Sequence, residues 1–188
     1  TIKAPKRRGP PHWRYEGRPV ETMLPATTDA RLEDFFEALL RSFGRAKETH
    51  IAGLAHWVIA DRSVRLAMAG SALAHLARPL DLPQRTPALT PELTIHAWEG
   101  PASWPPSAWP WPGSSTADSV GLATRRFRIH YHAPSGLLCM WDRETRRAVY
   151  WVRRAANLPF WEIASPFRIL FHWWSQSWGG QLAHAAAV

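Results

Sequence analysis

The side chains best suited to chemistry in this sequence are basic residues that alternate with apolar ones around position 128. In a strand such alternation places the two kinds of side chain on opposite faces. The basic positions are Arg126, Arg128, His130 and His132, and the apolar ones are Phe127, Ile129 and Tyr131. Arginine forms paired hydrogen bonds with carboxylates and phosphates. The pattern therefore predicts a basic strand face, open to solvent, that can hold a ligand or an acidic peptide.

The two histidines of this face also have the spacing of a two-histidine metal site, because His130 and His132 would point the same way from one strand. No third ligand is identifiable in the sequence. The nearby carboxylates Asp142 and Glu144 have the context of turn residues. We therefore expect no metal site and favour a basic, solvent-facing strand.

A second candidate binding segment, residues 100–121, contains five prolines and three tryptophans. Proline at this density cannot continue a helix or a strand, so the segment is predicted to be a loop. It is either an ordinary surface insertion or a lid whose stiffly held indoles contact a ligand at low entropic cost. The substrate-binding residues predicted from the two segments together are Trp104, Trp109, Trp111, Arg126, Arg128 and His130.

Common catalytic and nucleotide-binding motifs are absent. The sequence contains no GxxxxGK[ST] loop, no GxGxxG, no HExxH and no GxSxG. No catalytic residue and no cofactor are therefore expected within these 188 residues. His184 is the one polar side chain in the apolar run LAHAAAV, which is compatible both with a buried, hydrogen-bonded histidine and with a residue near a reaction centre.

The composition is that of a globular chain with one domain, or one domain and an appendage. The formal charge is +8, and hydrophobic residues make up 46% of the chain. Cys139 is the only cysteine, which excludes an internal disulfide and favours the reducing cytoplasm. The positive charges are scattered, so we do not expect a nucleic-acid partner, and no apolar run is long enough to span a membrane.

Hydrophobic periodicity predicts the first elements. Apolar residues spaced by three and four predict an amphipathic helix over residues 30–43, with Gly44 as its end. Residues 54–69 are predicted to form a β-hairpin with its turn at 61–63, and residues 93–99 a further strand.

The second half of the chain predicts a three-stranded antiparallel meander over residues 125–153 and then a tryptophan-rich helix over 166–178. Ser165 and Pro166 are predicted to start that helix, and the two glycines after it to end it. The expected fold is α+β: a mostly antiparallel sheet covered by the N-terminal amphipathic helix and the tryptophan-rich C-terminal helix. Residues 181–188 are predicted to form one more strand.

Two C-terminal runs have a pattern beyond secondary structure. The first is WxxxAxxLPxWExxxPxR over residues 151–168, and the second is HWW, GGQL and HAAAV within residues 172–188. These runs resemble the HPr kinase-like ATP-binding proteins, bacterial P-loop kinases related to HPr serine kinase/phosphorylase. In that family such a segment leads directly into the phosphate-binding GxxxxGK[ST] loop.

The resemblance implies that this chain is the N-terminal region of a longer kinase-like protein and ends before the P-loop. Only His184 can be carried over, as a residue near the active centre of that parent protein. ATP and Mg²⁺ would be bound by the kinase core of the same polypeptide, and the fragment alone would be inactive because it lacks the groups that neutralise the transferred phosphoryl charge.

The expected organisation has three parts: a basic, proline-rich arm over residues 1–26, an accessory and substrate-recognition domain over 27–180, and the first strand of the missing kinase core over 181–188. The first hypothesis for its function is the accessory domain of an ATP-dependent protein or peptide serine kinase, which positions a carrier protein or a peptide. The alternative is a self-contained peptide- or ligand-binding module with no catalytic activity.

Overall fold

The computed structural model describes residues 22–23, 28–49, 52–77, 90–100 and 119–182. Within these ranges eight strands form one mixed sheet. The strands are β1 (Thr22–Met23), β2 (Ala52–Ile59), β3 (Arg62–Ala69), β4 (Leu93–Glu99), β5 (Ser119–Ala123), β6 (Phe127–His132), β7 (Leu137–Asp142) and β8 (Arg147–Val152). The α-helices are α1 (Thr28–Thr49), α2 (Phe160–Ala164) and α3 (Arg168–Gln176), and short 3-10 helices span Ser71–Ala77 and Ala155–Asn157.

The spatial order of the strands is β1-β5-β6-β7-β8-β4-β3-β2. The hairpin β2–β3 and the pairs β5–β6, β6–β7 and β7–β8 are antiparallel. Strand β4 pairs in parallel with both β3 and β8 and so joins the hairpin to the meander, and β1 pairs in parallel with β5. The predicted α+β class and the mostly antiparallel sheet are confirmed.

Both faces of the sheet are covered. Helix α1 packs on one face, across β3, β4 and β8, and its buried residues Leu32, Phe35, Phe36, Leu39 and Phe43 share a core with that face. The other face packs against α3 and the 3-10 helix Ser71–Ala77, with Phe167, Leu170 and Phe171 at its centre. Strands β7 and β8 are buried along nearly their whole length, which explains why they read as continuous apolar runs.

Helix α1 contains the predicted amphipathic stripe, but it does not end at Gly44. The helix continues to Thr49, and a Cβ added at Gly44 would meet nothing within 4 Å. The prediction that Gly44 ends the helix was therefore wrong. Glycine lowers helix stability without forbidding the helical conformation, and the packing of the stripe carries the helix past it.

The hairpin β2–β3 is confirmed, but its turn consists of Ala60 and Asp61 and not of residues 61–63. The pairing of Ile59 with Arg62 leaves two residues in the loop, and both have positive φ, 49° and 62°. Two-residue hairpin loops favour this left-handed backbone because its twist matches that of the strands.

The tryptophan-rich helix is confirmed, but its predicted start is not. Phe167, with φ 60°, occupies the N-cap position, and no side chain caps the helix. Ser165 instead follows α2 as its C-cap. The glycine end is confirmed, since Gly179 has φ +82° and Gly180 donates its N–H to the carbonyl of Ser175.

Three predicted segments have boundaries or contents that differ from the prediction. The predicted loop 100–121 ends earlier, because β5 begins at Ser119, and the predicted irregular arm 1–26 contains the short strand β1. Gln181 and Leu182 are exposed and not part of a strand, so the predicted strand 181–188 does not begin at residue 181; residues 183–188 lie outside the described ranges. Among the described residues no helix is both long enough and apolar enough to cross a membrane.

Candidate functional site

A cleft of about 480 Å³ opens at one end of the sheet, where several turns meet the end of α3. Because β5, β6, β7 and β8 run alternately up and down, the β5–β6 and β7–β8 turns lie at the same end. The start of β3 and the residue before β4 complete that rim. The charged lining residues are Arg62, Glu92, Arg125, Arg143, Glu144 and Arg146.

The two central turns are built around one carboxylate, Asp142, whose side chain is fully buried. Its Oδ1 accepts hydrogen bonds from the backbone N–H groups of Glu144 and Thr145, and its Oδ2 accepts one from the Thr145 hydroxyl. Arg126 donates to both carboxylate oxygens, at 3.1 and 2.9 Å. One side chain thus closes its own turn and ties it to the neighbouring turn.

This arrangement sets the charge state of the pair. Burial by itself would raise the pKa of Asp142, but the hydrogen bonds from Arg126 and Thr145 and the arginine charge outweigh it, and the pKa is lowered. The same contacts raise the pKa of Arg126. Arg126 also pairs with Glu33 of α1 at 3.0 Å and with Glu144 at 3.5 Å, so its charge is largely neutralised inside the protein.

The four arginines that line the cleft differ from Arg126 in their ion-pair partners. Arg62 forms an ion pair with Glu92. Arg125, Arg143 and Arg146 are exposed and have no carboxylate partner in the part of the chain that the structure describes. Arg143 donates one hydrogen bond to the carbonyl of Arg125, at 3.2 Å. Four guanidinium groups against two carboxylates leave the cleft with a net charge of +2.

Indole rings support two of these guanidinium groups. Arg62 lies over the ring of Trp178 at 4.8 Å, and Arg143 lies over that of Trp141 at 5.9 Å. Trp174 packs edge-on against Trp178, with ring centroids 5.6 Å apart. A guanidinium stacked on an aromatic face keeps its in-plane N–H groups available for a ligand.

The glycine pair after α3 shapes this aromatic wall. A Cβ added at Gly180 would lie 2.2 Å from the Trp178 ring, so only glycine allows the indole to pack on the backbone there. The indole N–H groups of Trp141 and Trp178 are buried and have no hydrogen-bond partner among the described residues.

Of the residues predicted to bind substrate, the structure describes Arg126, Arg128 and His130, and Arg126 lies apart from the other two. Arg126 lies behind the cleft and pairs with Asp142. Arg128 and His130 point to the face that α3 covers, where Arg128 donates to the Gln176 side chain at 2.9 Å. The face has the predicted basic side chains, but it is less open to solvent than expected, because Arg128 and His130 are half-buried and Arg128 contacts α3. Trp104, Trp109 and Trp111, and likewise His184, lie outside the described residues.

His130 is in a poor environment for a positive charge. Burial, together with the nearby charges of His132 and Arg168, lowers its pKa to about 4. The ring lies 3.4 Å from the Ser119 hydroxyl. At neutral pH His130 is therefore uncharged and adds no attraction for an anion.

A second polar group is buried on the α3 side of the sheet. Tyr150 donates its hydroxyl hydrogen to Glu162 at 3.2 Å. Burial raises the pKa values of Glu162, Tyr150 and Cys139, and the Glu162 charge adds to the effect on the other two.

In the described ranges no group of three or more His, Cys, Asp or Glu side chains could hold a metal ion.

The arginines of the cleft were not identified from the sequence, because they stand in or beside turns, where no periodicity or motif distinguishes them. A usable signal existed in the predicted meander. Successive turns of an antiparallel sheet alternate between its two ends. The turn before β6 and the turn after β7 must therefore be neighbours. Each of them contains or adjoins an arginine pair, Arg125-Arg126 and Arg146-Arg147.

None of the known protein families, curated proteins or solved structures compared with this chain matches it. The resemblance to HPr kinase-like proteins therefore stays a prediction from the sequence.

Proposed function

We propose that this chain is a recognition domain that binds an anionic segment of a peptide or protein in the arginine-lined cleft. The observation that carries the proposal is the net charge of +2 at a cleft where three exposed arginines lack a carboxylate partner among the described residues. Guanidinium groups held on a rigid scaffold recognise carboxylates and phosphates through paired hydrogen bonds. The overall charge of +8 would speed the approach of an acidic partner.

The sequence pattern over residues 151–188 supports a more specific context. We propose that the domain is the N-terminal accessory domain of an HPr kinase-like, ATP-dependent protein or peptide serine kinase. It would position a carrier protein or a peptide for the kinase core of the same polypeptide, in the cytoplasm, while that core binds ATP and Mg²⁺. The alternative, a self-contained binding module without catalytic activity, would use the same cleft.

Binding of an acidic peptide tests the shared part of both proposals. The probe is a fluorescein-labelled ten-residue peptide of alternating glutamate and serine, and its control has glutamine in place of glutamate. We expect saturable binding, followed by fluorescence anisotropy, of the acidic peptide only.

Variants locate the binding site. Hydrogen bonds to charged groups contribute about 1.5–3 kcal/mol each, so Arg125→Ala with Arg146→Ala should weaken binding at least about tenfold. The matched control is Arg31→Ala with Arg41→Ala, which removes two exposed arginines from α1. Its affinity should stay within about twofold of that of the parent chain, because only the long-range effect of the two charges is lost. An equal loss in both double variants would mean that only the overall charge matters and would refute the cleft.

The kinase context has its own test in the coding sequence that follows Val188. We expect a GxxxxGK[ST] motif within about twenty-five residues, the length of a strand–loop–helix unit. A stop codon, or a further thirty residues without that motif, would leave the self-contained module as the explanation.

A further inference from the structure

The cleft is better matched to a phosphoryl group than to a carboxylate. We propose that it binds a phosphomonoester dianion carried on a peptide side chain, such as phosphoserine; this inference rests on the proposed function and names the chemical class of its ligand.

Charge supports this assignment. The four guanidinium groups and two carboxylates of the lining leave +2, which a phosphomonoester of charge between −1.5 and −2 at neutral pH would neutralise. A ligand with a single carboxylate would leave about one positive charge of the cleft without compensation.

The distribution of the donors supports it as well. Arg125 comes from the β5–β6 turn, and Arg143 and Arg146 come from the β7–β8 turn. A carboxylate has two coplanar oxygens, which a single guanidinium can occupy completely. A phosphomonoester has three terminal oxygens directed to different sides, so it can accept hydrogen bonds from guanidinium groups of separate elements at once.

The backbones of the turns that carry these arginines are held in place before any ligand arrives. The two turns are tied together by Asp142 and Arg126, and by the backbone hydrogen bond from Arg143 N–H to the Arg126 carbonyl at 3.0 Å. Arg143 is further held by its contacts with Trp141 and with the Arg125 carbonyl. Such preorganisation lowers the entropy that binding must spend.

The remaining lining suits an attached peptide. Trp174 and Trp178 form an aromatic wall beside Arg62, and indoles supply contact area for the residues next to a phosphorylated side chain. Arg62 already pairs with Glu92, so we assign the phosphoryl contacts to Arg125, Arg143 and Arg146.

The experiment compares three fluorescein-labelled nine-residue peptides of alanine and glycine whose central residue is serine, glutamate or phosphoserine. We expect the phosphoserine peptide to bind at least about tenfold more tightly than the glutamate peptide, because a second charge and a third acceptor oxygen are engaged. Its affinity should rise between pH 5 and pH 7, as the phosphate loses its second proton with a pKa of about 6. The glutamate peptide, ionised throughout, should show no such rise.

Two double variants separate geometry from charge. Arg125→Lys with Arg146→Lys keeps the charge but removes the forked hydrogen bonds, and we expect it to lose most of the preference for phosphoserine. Arg31→Lys with Arg41→Lys on α1 is the matched control and should keep it. Unchanged preference in the cleft variant would overturn the assignment.

The other outcomes are equally decisive. Equal binding of the glutamate and phosphoserine peptides would overturn the phosphoryl assignment and leave the proposed function intact, whereas no binding of any acidic or phosphorylated peptide would overturn both. Competition by inorganic phosphate at lower concentrations than the phosphoserine peptide would identify the free anion as the ligand. Tighter binding of a ten-nucleotide thymidine strand, with an affinity that falls steeply with salt, would identify a nucleic-acid site instead.

Discussion

Asp142 is the residue on which the geometry of the cleft depends most directly. It is fully buried, accepts hydrogen bonds from two turns and carries the ion pair with Arg126. A carboxylate can occupy such a position only because each of its oxygens has several donors.

Replacement of this carboxylate should therefore be costly. We expect Asp142→Asn to lower the free energy of unfolding at pH 7 by about 2–3 kcal/mol, since a charged hydrogen-bond acceptor for Arg126 is lost. Because the pKa of Asp142 is lowered in the folded protein, this stabilisation is full above the unfolded value of about 3.9 and is lost as the pH falls through the folded value. Urea unfolding at pH 7 measures the difference.

Glu144→Gln is the matched control, because Glu144 contacts the same guanidinium from an exposed position, with 69% of its side chain accessible. Exposed ion pairs contribute about 0–1 kcal/mol, so this variant should be nearly neutral. Equal effects of the two substitutions would show that Asp142 is not the anchor of the turns.

At the scale of elements, α1 differs most clearly from its prediction. Gly44 lies inside the helix with no atom within 4 Å of the position of a Cβ, and the helix continues for another turn beyond it. The apolar stripe, buried against the sheet, outweighs the low helix propensity of one glycine.

Gly44→Ala should accordingly stabilise the protein, by about 0.5–1 kcal/mol, because alanine loses less backbone entropy in a helix than glycine does. Thermal unfolding followed by circular dichroism measures the change.

The control for this substitution is Gly179→Ala at the end of α3. Gly179 also has open space around it, but its φ is +82°, so alanine should cost about 1 kcal/mol there. Destabilisation by Gly44→Ala would mean that the helix does end at residue 44, as the sequence first indicated.

At the scale of the whole molecule, the sheet is covered by helices on both faces, and each face holds a histidine in an environment unfavourable to charge. His96 lies under α1, with its ring 5.0 Å from that of Phe43, and burial lowers its pKa to about 4 in spite of the contact with the Ala148 carbonyl. His130 lies on the opposite face, and its pKa is lowered to about 4 as well.

Both histidines should make the fold sensitive to acid. An unfolded histidine binds its proton near pH 6.5, whereas the folded protein resists protonation until about pH 4. The contribution of these two histidines to stability is therefore full above pH 6.5 and decreases as the pH falls from 6.5 to 4. Urea titrations of the parent chain and of His96→Gln across this range measure this contribution to the free energy of unfolding.

The slope of that profile should become smaller in His96→Gln, which removes one of the two protons taken up on unfolding. His172→Gln replaces an exposed histidine on α3 and should leave the slope unchanged. A slope that His96→Gln leaves unchanged would contradict the burial of this ring.

Local sequence patterns were sufficient to predict the helices, strands and turns that are determined by residues close together in the sequence. The stripe from Leu32 to Phe43 predicted α1, the alternation around Trp57 and Leu66 predicted the hairpin, and the glycine pair predicted the end of α3. These predictions succeeded because helix periodicity, strand alternation and left-handed turns are encoded within a few residues.

The sequence by itself therefore determined the α+β class, most of the elements and the basic character of the chain. Only the tertiary structure decided that β4 lies parallel between β3 and β8, that Arg128 contacts α3, and that Arg126 is held by Asp142. It also decided that Arg125, Arg143 and Arg146 share one cleft with Trp178, which follows them by more than thirty residues. The physical reason is that parallel pairing, burial of a strand face and convergence of separate turns depend on contacts between distant residues, which no local periodicity contains.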